Sequence, residues 1–182
     1  WYAVPLALPL GLALALGAAF VALGGRFDPA RLGRGVALYP VTALSLALLG
    51  GGQEELGWRG FALPALQERF DALTASVAIG LAWAAWHLPA FAFAVPGYTG
   101  SFVQYILLVV GVSVVLTWLY NGSAGSVLPA MVLHGGVNAA PNLGIAVAGG
   151  PSAVDASPYA VLVPAVWIVA LALVLRYGRR TL

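Results

Sequence analysis

Apolar runs of roughly 20 residues recur along the whole chain, each long enough to cross a hydrocarbon core about 30 Å thick as a helix. That repetition leaves few folds open. The runs are rich in Ala, Leu, Val and Gly and lack the strict alternation of barrel strands, so an all-α, polytopic transmembrane helical bundle of about six spans is expected rather than a β-barrel. With 62% hydrophobic and 8% charged residues among 182, the chain departs far from a soluble globular domain and reads as one integral membrane domain, 1–182.

Glycine, proline and polar clusters set the expected boundaries. A first span runs from about Trp1 to Leu23, and Gly24 and Gly25 end it. A polar loop with Arg26, Asp28, Pro29, Arg31 and Arg34 follows, then a second span over Val36–Leu49. After Gly50, Gly51 and Gly52 a charged stretch runs as a helix to about Phe70, either continuing the second helix or broken from it by the glycines. Further spans are expected at Leu73–Ala94, Phe102–Tyr120, Val127–Val147 and Tyr159–Tyr177. "PGYTGS", "NGSAGS" and a loop with two prolines and Asp155 separate them.

The net charge of +2 is carried on the basic side by arginine alone, in short loops and the tail rather than a stripe, so no nucleic-acid partner is expected. The absence of cysteine excludes thiolate metal sites and a cysteine nucleophile. With six spans, the Arg26/Arg31/Arg34 loop and the Arg176/Arg179/Arg180 tail fall on opposite faces, and charge alone does not orient the chain.

Ionisable side chains within such spans cost on the order of 2.5–3.5 kcal/mol each and usually face the bundle and function. Here they are Glu54, Glu55, Arg59, His87 and His134. In "GGQEELGWRGF" Glu55 and Arg59 are i and i+4 on one helix face, whereas Glu54 lies about 140° from Arg59. One carboxylate is thus paired and the other, Glu54, is left as a candidate general base. In "WAAWHLP" Trp83 lies one turn before His87 and is placed to stack on its imidazole, while Pro89 removes a backbone donor and kinks the helix. In "MVLHGGVNAA" His134 and Asn138 are i and i+4; the carboxamide can orient the ring or donate to an oxyanion, and Gly135 and Gly136 permit close approach of another helix. Taken singly, each motif also reads as packing: an interhelical ion-pair triad, a hydrogen-bonded core histidine, a small-residue seam with a polar pair.

Taken in order, EELGWR, W-x-x-x-H and H-x-x-x-N resemble the CPBP family of intramembrane proteases, which unites Rce1-type CAAX-processing enzymes with bacterial bacteriocin-processing and immunity proteins called Abi. The resemblance covers roughly residues 50–142 and departs from the family at Trp83, where a phenylalanine is usual. It implies an intramembrane endopeptidase in which Glu54 activates water, His87 and His134 complete the site, Asn138 stabilises the oxyanion, and Glu55 and Arg59, with Trp83, support them. It further implies a peptide or protein substrate at the membrane, the lipid bilayer as surroundings, and a multi-pass location in a bacterial or archaeal plasma membrane, with the site opening toward the cytosol. Cofactor use stays open: no HExxH occurs, yet Glu54, His87 and His134 could ligate zinc.

Rival readings are a rhomboid-like serine protease, a non-enzymatic immunity or scaffold bundle, and a small proton-coupled transporter. The first fails because Ser123 and Ser126 sit in a turn just before the helix of His134 and no GxSG occurs. Against the transporter, no inverted repeat is seen.

Overall fold

The computed structural model of the chain describes residues 1–22, 26, 28–96, 98, 100–148 and 159–182. Helix α1 is Val4–Ala22 and α2 is Pro29–Leu49. An irregular helical segment, α3, covers 52–67; then come α4 at Ala72–Ala92, α5 at Phe102–Gly122, α6 at Val127–Ala148 and α7 at Tyr159–Tyr177. The described residues form an all-α bundle. Gly24, Gly25, Gly97, Thr99 and the loop with Asp155, named above as boundaries, lie outside the described residues.

Two boundaries differ from the sequence reading. Helix α2 starts seven residues before Val36, because Asp28 accepts the Ala30 amide at 2.9 Å and Pro29, with φ already fixed, suits a first helical turn. Local capping chemistry therefore overrides the hydropathy edge, and Arg31 and Arg34 belong to the helix. The second difference is at the glycines. Gly51 takes φ 117° and breaks the chain away from α2, settling the alternative left open above. The segment that follows is no uniform helix: a 3₁₀ turn at Gly52–Glu54, an α turn at Glu55–Gly57, a π turn at Trp58–Ala62 and an α turn at Leu63–Gln67.

Among the described residues, Gly33–Gln67, Ala72–Ala92 and Phe102–Gly122 are long and apolar enough to cross a membrane, while Val4–Ala19, Val127–Ala140 and Leu162–Tyr177 are shorter apolar stretches. Large apolar side chains such as Leu14, Leu38, Val103 and Leu175 point outward, the surface expected of a bundle solvated by lipid.

Lipid tails are as apolar as leucine, so helices associate through close packing and polar contacts rather than hydrophobic exclusion. Both devices are present. Helix α6 lies against α1 and α2, and a Cβ on Gly135 would come within 2.4–2.5 Å of the Ala47 amide and the Ala43 carbonyl, so the backbones touch there. Tyr39 donates to the Gly136 carbonyl at 3.3 Å across the same seam. Helix α5 packs between α4 and α7. Its Val114, Leu116 and Leu119 are among the most deeply buried side chains. The chain end crosses the bundle at one edge: the Leu73 amide donates to the Arg179 carbonyl, and Arg179 pairs with Asp71 at 2.7 Å, the residue that caps α4 through the Thr74 amide.

Candidate active site

Glu55 sits in the short α turn that follows the Gly51 break, and the fold leaves it wholly buried. Its two oxygens have separate partners. Arg59 Nη1, one turn on, donates to Oε2 at 2.9 Å, and His134 Nδ1 of α6 donates to Oε1 at 2.8 Å. The i,i+4 pairing expected from the sequence is present, and a buried ion pair of this kind persists only where further hydrogen bonds satisfy it.

Those further bonds come from α5. Arg59, also with no exposed surface, sends Nη2 to the Ser113 carbonyl at 3.0 Å and to Ser113 Oγ at 2.8 Å, and its guanidinium lies 5.9 Å from the centre of the Trp83 ring. Ser113 in turn donates to the Ser76 carbonyl of α4 at 2.7 Å. The Nε of Arg59 and the indole nitrogen of Trp83 have no partner among the described residues. Sequence reasoning missed Ser113 altogether: a single hydroxyl within "VVGVSVVLTW" carries no local signal.

Glu54 is placed differently. It is partly exposed, it has no cation partner among the described residues, and its carboxylate accepts a long 3.5 Å bond from Trp58 Nε1. Burial raises the Tyr98 hydroxyl above the ordinary tyrosine range, and the nearby Glu54 charge pushes it further in the same direction.

Both histidines have defined tautomers. His87 Nδ1 lies 3.0 Å from the Trp83 carbonyl, which can only accept, so Nδ1 carries the proton and Nε2 the lone pair of the neutral ring. The carboxylate of Glu55 fixes a proton on His134 Nδ1 by the same logic. The stacking partner of His87 is not Trp83. Tyr98 lies over its ring at 5.4 Å and 30°, with Tyr105 at 5.6 Å, whereas Trp83 meets it edge-on at 6.4 Å and packs instead against His134 at 4.8 Å. His87 leans back one turn to the Trp83 carbonyl, as helical side chains do, while the Trp83 ring itself is taken up by His134 of α6. Helix α4 nonetheless runs through Pro89 to Ala92.

Asn138 completes the group from α6, donating Nδ2 to the Gly50 carbonyl at 3.1 Å. A Cβ on Gly51 would stand 2.7 Å from Asn138 Nδ2 and 2.9 Å from His134 Nε2, so two ring and amide nitrogens converge on the space that this glycine leaves empty. The structure thus joins Glu55, Arg59, His134 and Trp83 in one cluster, with Asn138 facing the same Gly51 space, Glu54 next to Glu55 in the chain, and His87 one turn on from Trp83 along α4. Among the described residues no three His, Asp or Glu side chains gather as a metal-binding group. Both Nδ1 atoms are engaged by protein acceptors, which leaves each neutral ring its Nε2 lone pair for a ligand or a reacting group.

A family model described as type II CAAX prenyl endopeptidase Rce1-like matches residues 36–140, which takes in every residue of this cluster. A CAAX prenyl protease 2 of Methanococcus maripaludis is 30% identical over 102 residues, 52% of this chain and 37% of the relative's own length.

Proposed function

The chain belongs to the Rce1-like type II CAAX prenyl endopeptidase family, and on that premise we propose that it is a multi-pass intramembrane endopeptidase that hydrolyses peptide bonds of a membrane-held peptide or protein. The observation that carries the reading is the division of labour between adjacent carboxylates. Glu55 is consumed by Arg59 and His134, while Glu54 stays partly exposed with no cation partner among the described residues and is available to take a proton.

Peptide hydrolysis needs a deprotonated water, donors at the tetrahedral oxygen and a proton for the leaving amine. Glu54 takes a proton from water as the oxygen adds to the scissile carbonyl carbon, with His87 Nε2 accepting from that water to orient it. The oxyanion is held by Asn138 Nδ2–H and by His134 Nε2–H when that ring carries both protons. Collapse breaks the C–N bond, and the amine leaves with the proton that Glu54 had taken. The bacterial or archaeal plasma membrane is the proposed location, with substrate reaching the cluster from the surrounding bilayer.

Cleavage of a peptide and membrane-protein library by the purified protein in detergent tests this. Glu54→Gln is expected to lower kcat by about 10²–10⁴-fold with the fold intact, and a chelator is expected to leave the wild type unaffected. Equal cleavage by both proteins would remove Glu54 from the mechanism.

A further inference from the structure

His134 does not stand alone on Glu55; a chain of hydrogen bonds leads from its ring to the centre of the bundle. His134 Nδ1 donates to Glu55 Oε1 at 2.8 Å, Arg59 Nη1 donates to Glu55 Oε2 at 2.9 Å, and Arg59 Nη2 is held at 2.8 Å by Ser113 Oγ. The serine's own proton is spent on the Ser76 carbonyl at 2.7 Å. That bond fixes the rotor, so the lone pairs of Ser113 Oγ face the guanidinium and cannot turn away. Every group in the chain is wholly or almost wholly buried, where no water competes for these bonds and each strengthens the next.

Resting on the reading of the site given above, we propose that Ser113 is a positioning residue for the reaction: its hydroxyl sets the plane of the Arg59 guanidinium, which sets Glu55, which holds the His134 ring with Nε2 toward the oxyanion space. It touches no substrate. Its distance from the chemistry is three hydrogen bonds, and from α5 it ties α3, which carries Glu54 and Arg59, to α4, which carries His87. A guanidinium is suited to this role because its planar fork transmits orientation, not charge alone.

The test exploits the fact that the chain has two histidines. Protein labelled with ¹⁵N-histidine in detergent micelles gives two ring spin systems, and His87→Gln assigns them. Ser113→Ala is expected to move the His134 Nδ1 resonance toward that of a weaker hydrogen bond and to lower kcat about tenfold with KM within twofold, the pattern of a misaligned transition-state contact. The Ser113 carbonyl still binds Arg59 in this variant, so the fold is retained. Thr117→Val, which removes a buried hydroxyl one turn further along α5 that has no partner among the described residues, is expected to change neither. Should Ser113→Ala fold poorly, Arg59→Lys, which keeps the cation and loses the fork, gives the same two readouts. An unmoved His134 signal or an unchanged kcat overturns the proposal, as does Thr117→Val reproducing both changes. The ring signal is read without turnover and decides the relay whether or not Glu54 proves to be the base.

Discussion

Two seams of the bundle are built from opposite materials. Where α3 meets α4, α5 and α6, the interface is held by Arg59, Glu55, His134 and Ser113, all buried and joined by directed bonds. Where α1 and α7 meet α5 and α6, a partly open cleft is lined by Leu8, Leu12, Val112, Val115, Leu133 and Val166, with no polar surface. The apolar seam is satisfied by any side chain of about the right volume, because dispersion has no preferred direction. The polar seam is satisfied by one arrangement only, since a buried charge that loses its partner keeps its desolvation cost. Geometry good enough for chemistry is concentrated in the seam that tolerates no alternatives.

The largest test of that contrast is Arg59→Ala, which leaves Glu55 buried with its charge opposed only by His134. Thermal or denaturant unfolding in detergent is expected to show a loss of about 3–5 kcal/mol, and a loss under about 1 kcal/mol would break the comparison. In the apolar seam, Val115→Ile adds one methylene to the cleft and is expected to change stability by less than about 1.5 kcal/mol in either direction. A cost matching that of Arg59→Ala would show that both seams are equally exacting.

The smallest effect lies outside both. The Thr74 amide foremost, and then Arg179, hold the Asp71 carboxyl below the ordinary carboxylate range. Its folded pKa is therefore depressed relative to the unfolded chain. The stability it contributes is complete above the unfolded value of about 3.9 and is lost as pH falls through the lower folded value. Melting temperature followed from pH 6 to pH 2 should converge for wild type and Asp71→Asn at the acid end and separate above it, with the gap narrowed by salt.

The contrast also explains what the sequence disclosed. The helical class and the placement of most helices followed from apolar run length, and the Glu55–Arg59 pair followed from a spacing of four on one turn. Gly135 and Gly136 announced a close approach by their lack of side chains. Each of these signals is local. Ser113 was invisible because its partner lies 54 residues away and its neighbours are all aliphatic; the bond between His134 and Glu55 spans 79 residues. The early start of α2 was written in Asp28–Pro29 but was outweighed by the polar arginines that follow, since hydropathy measures solvation and capping measures backbone bonds. Trp83 was given to the wrong histidine because spacing within one helix says nothing of a ring on another, and His134 of α6 lies closer to the indole than His87 does.

The π turn at Trp58–Ala62 carries a consequence for how this stretch can vary. Such a turn is equivalent to one residue inserted into an α-helix, so it bulges where a regular helix would be continuous. Deleting one residue between Arg59 and Leu63 would restore regular winding and turn everything downstream by about 100° relative to Glu55 and Arg59. Leu63, wholly buried, would swing out of its packing with Ala75 and Ile79. Length itself is therefore under constraint here: point substitutions at the exposed Gly60 and Phe61 can drift, while insertions and deletions cannot.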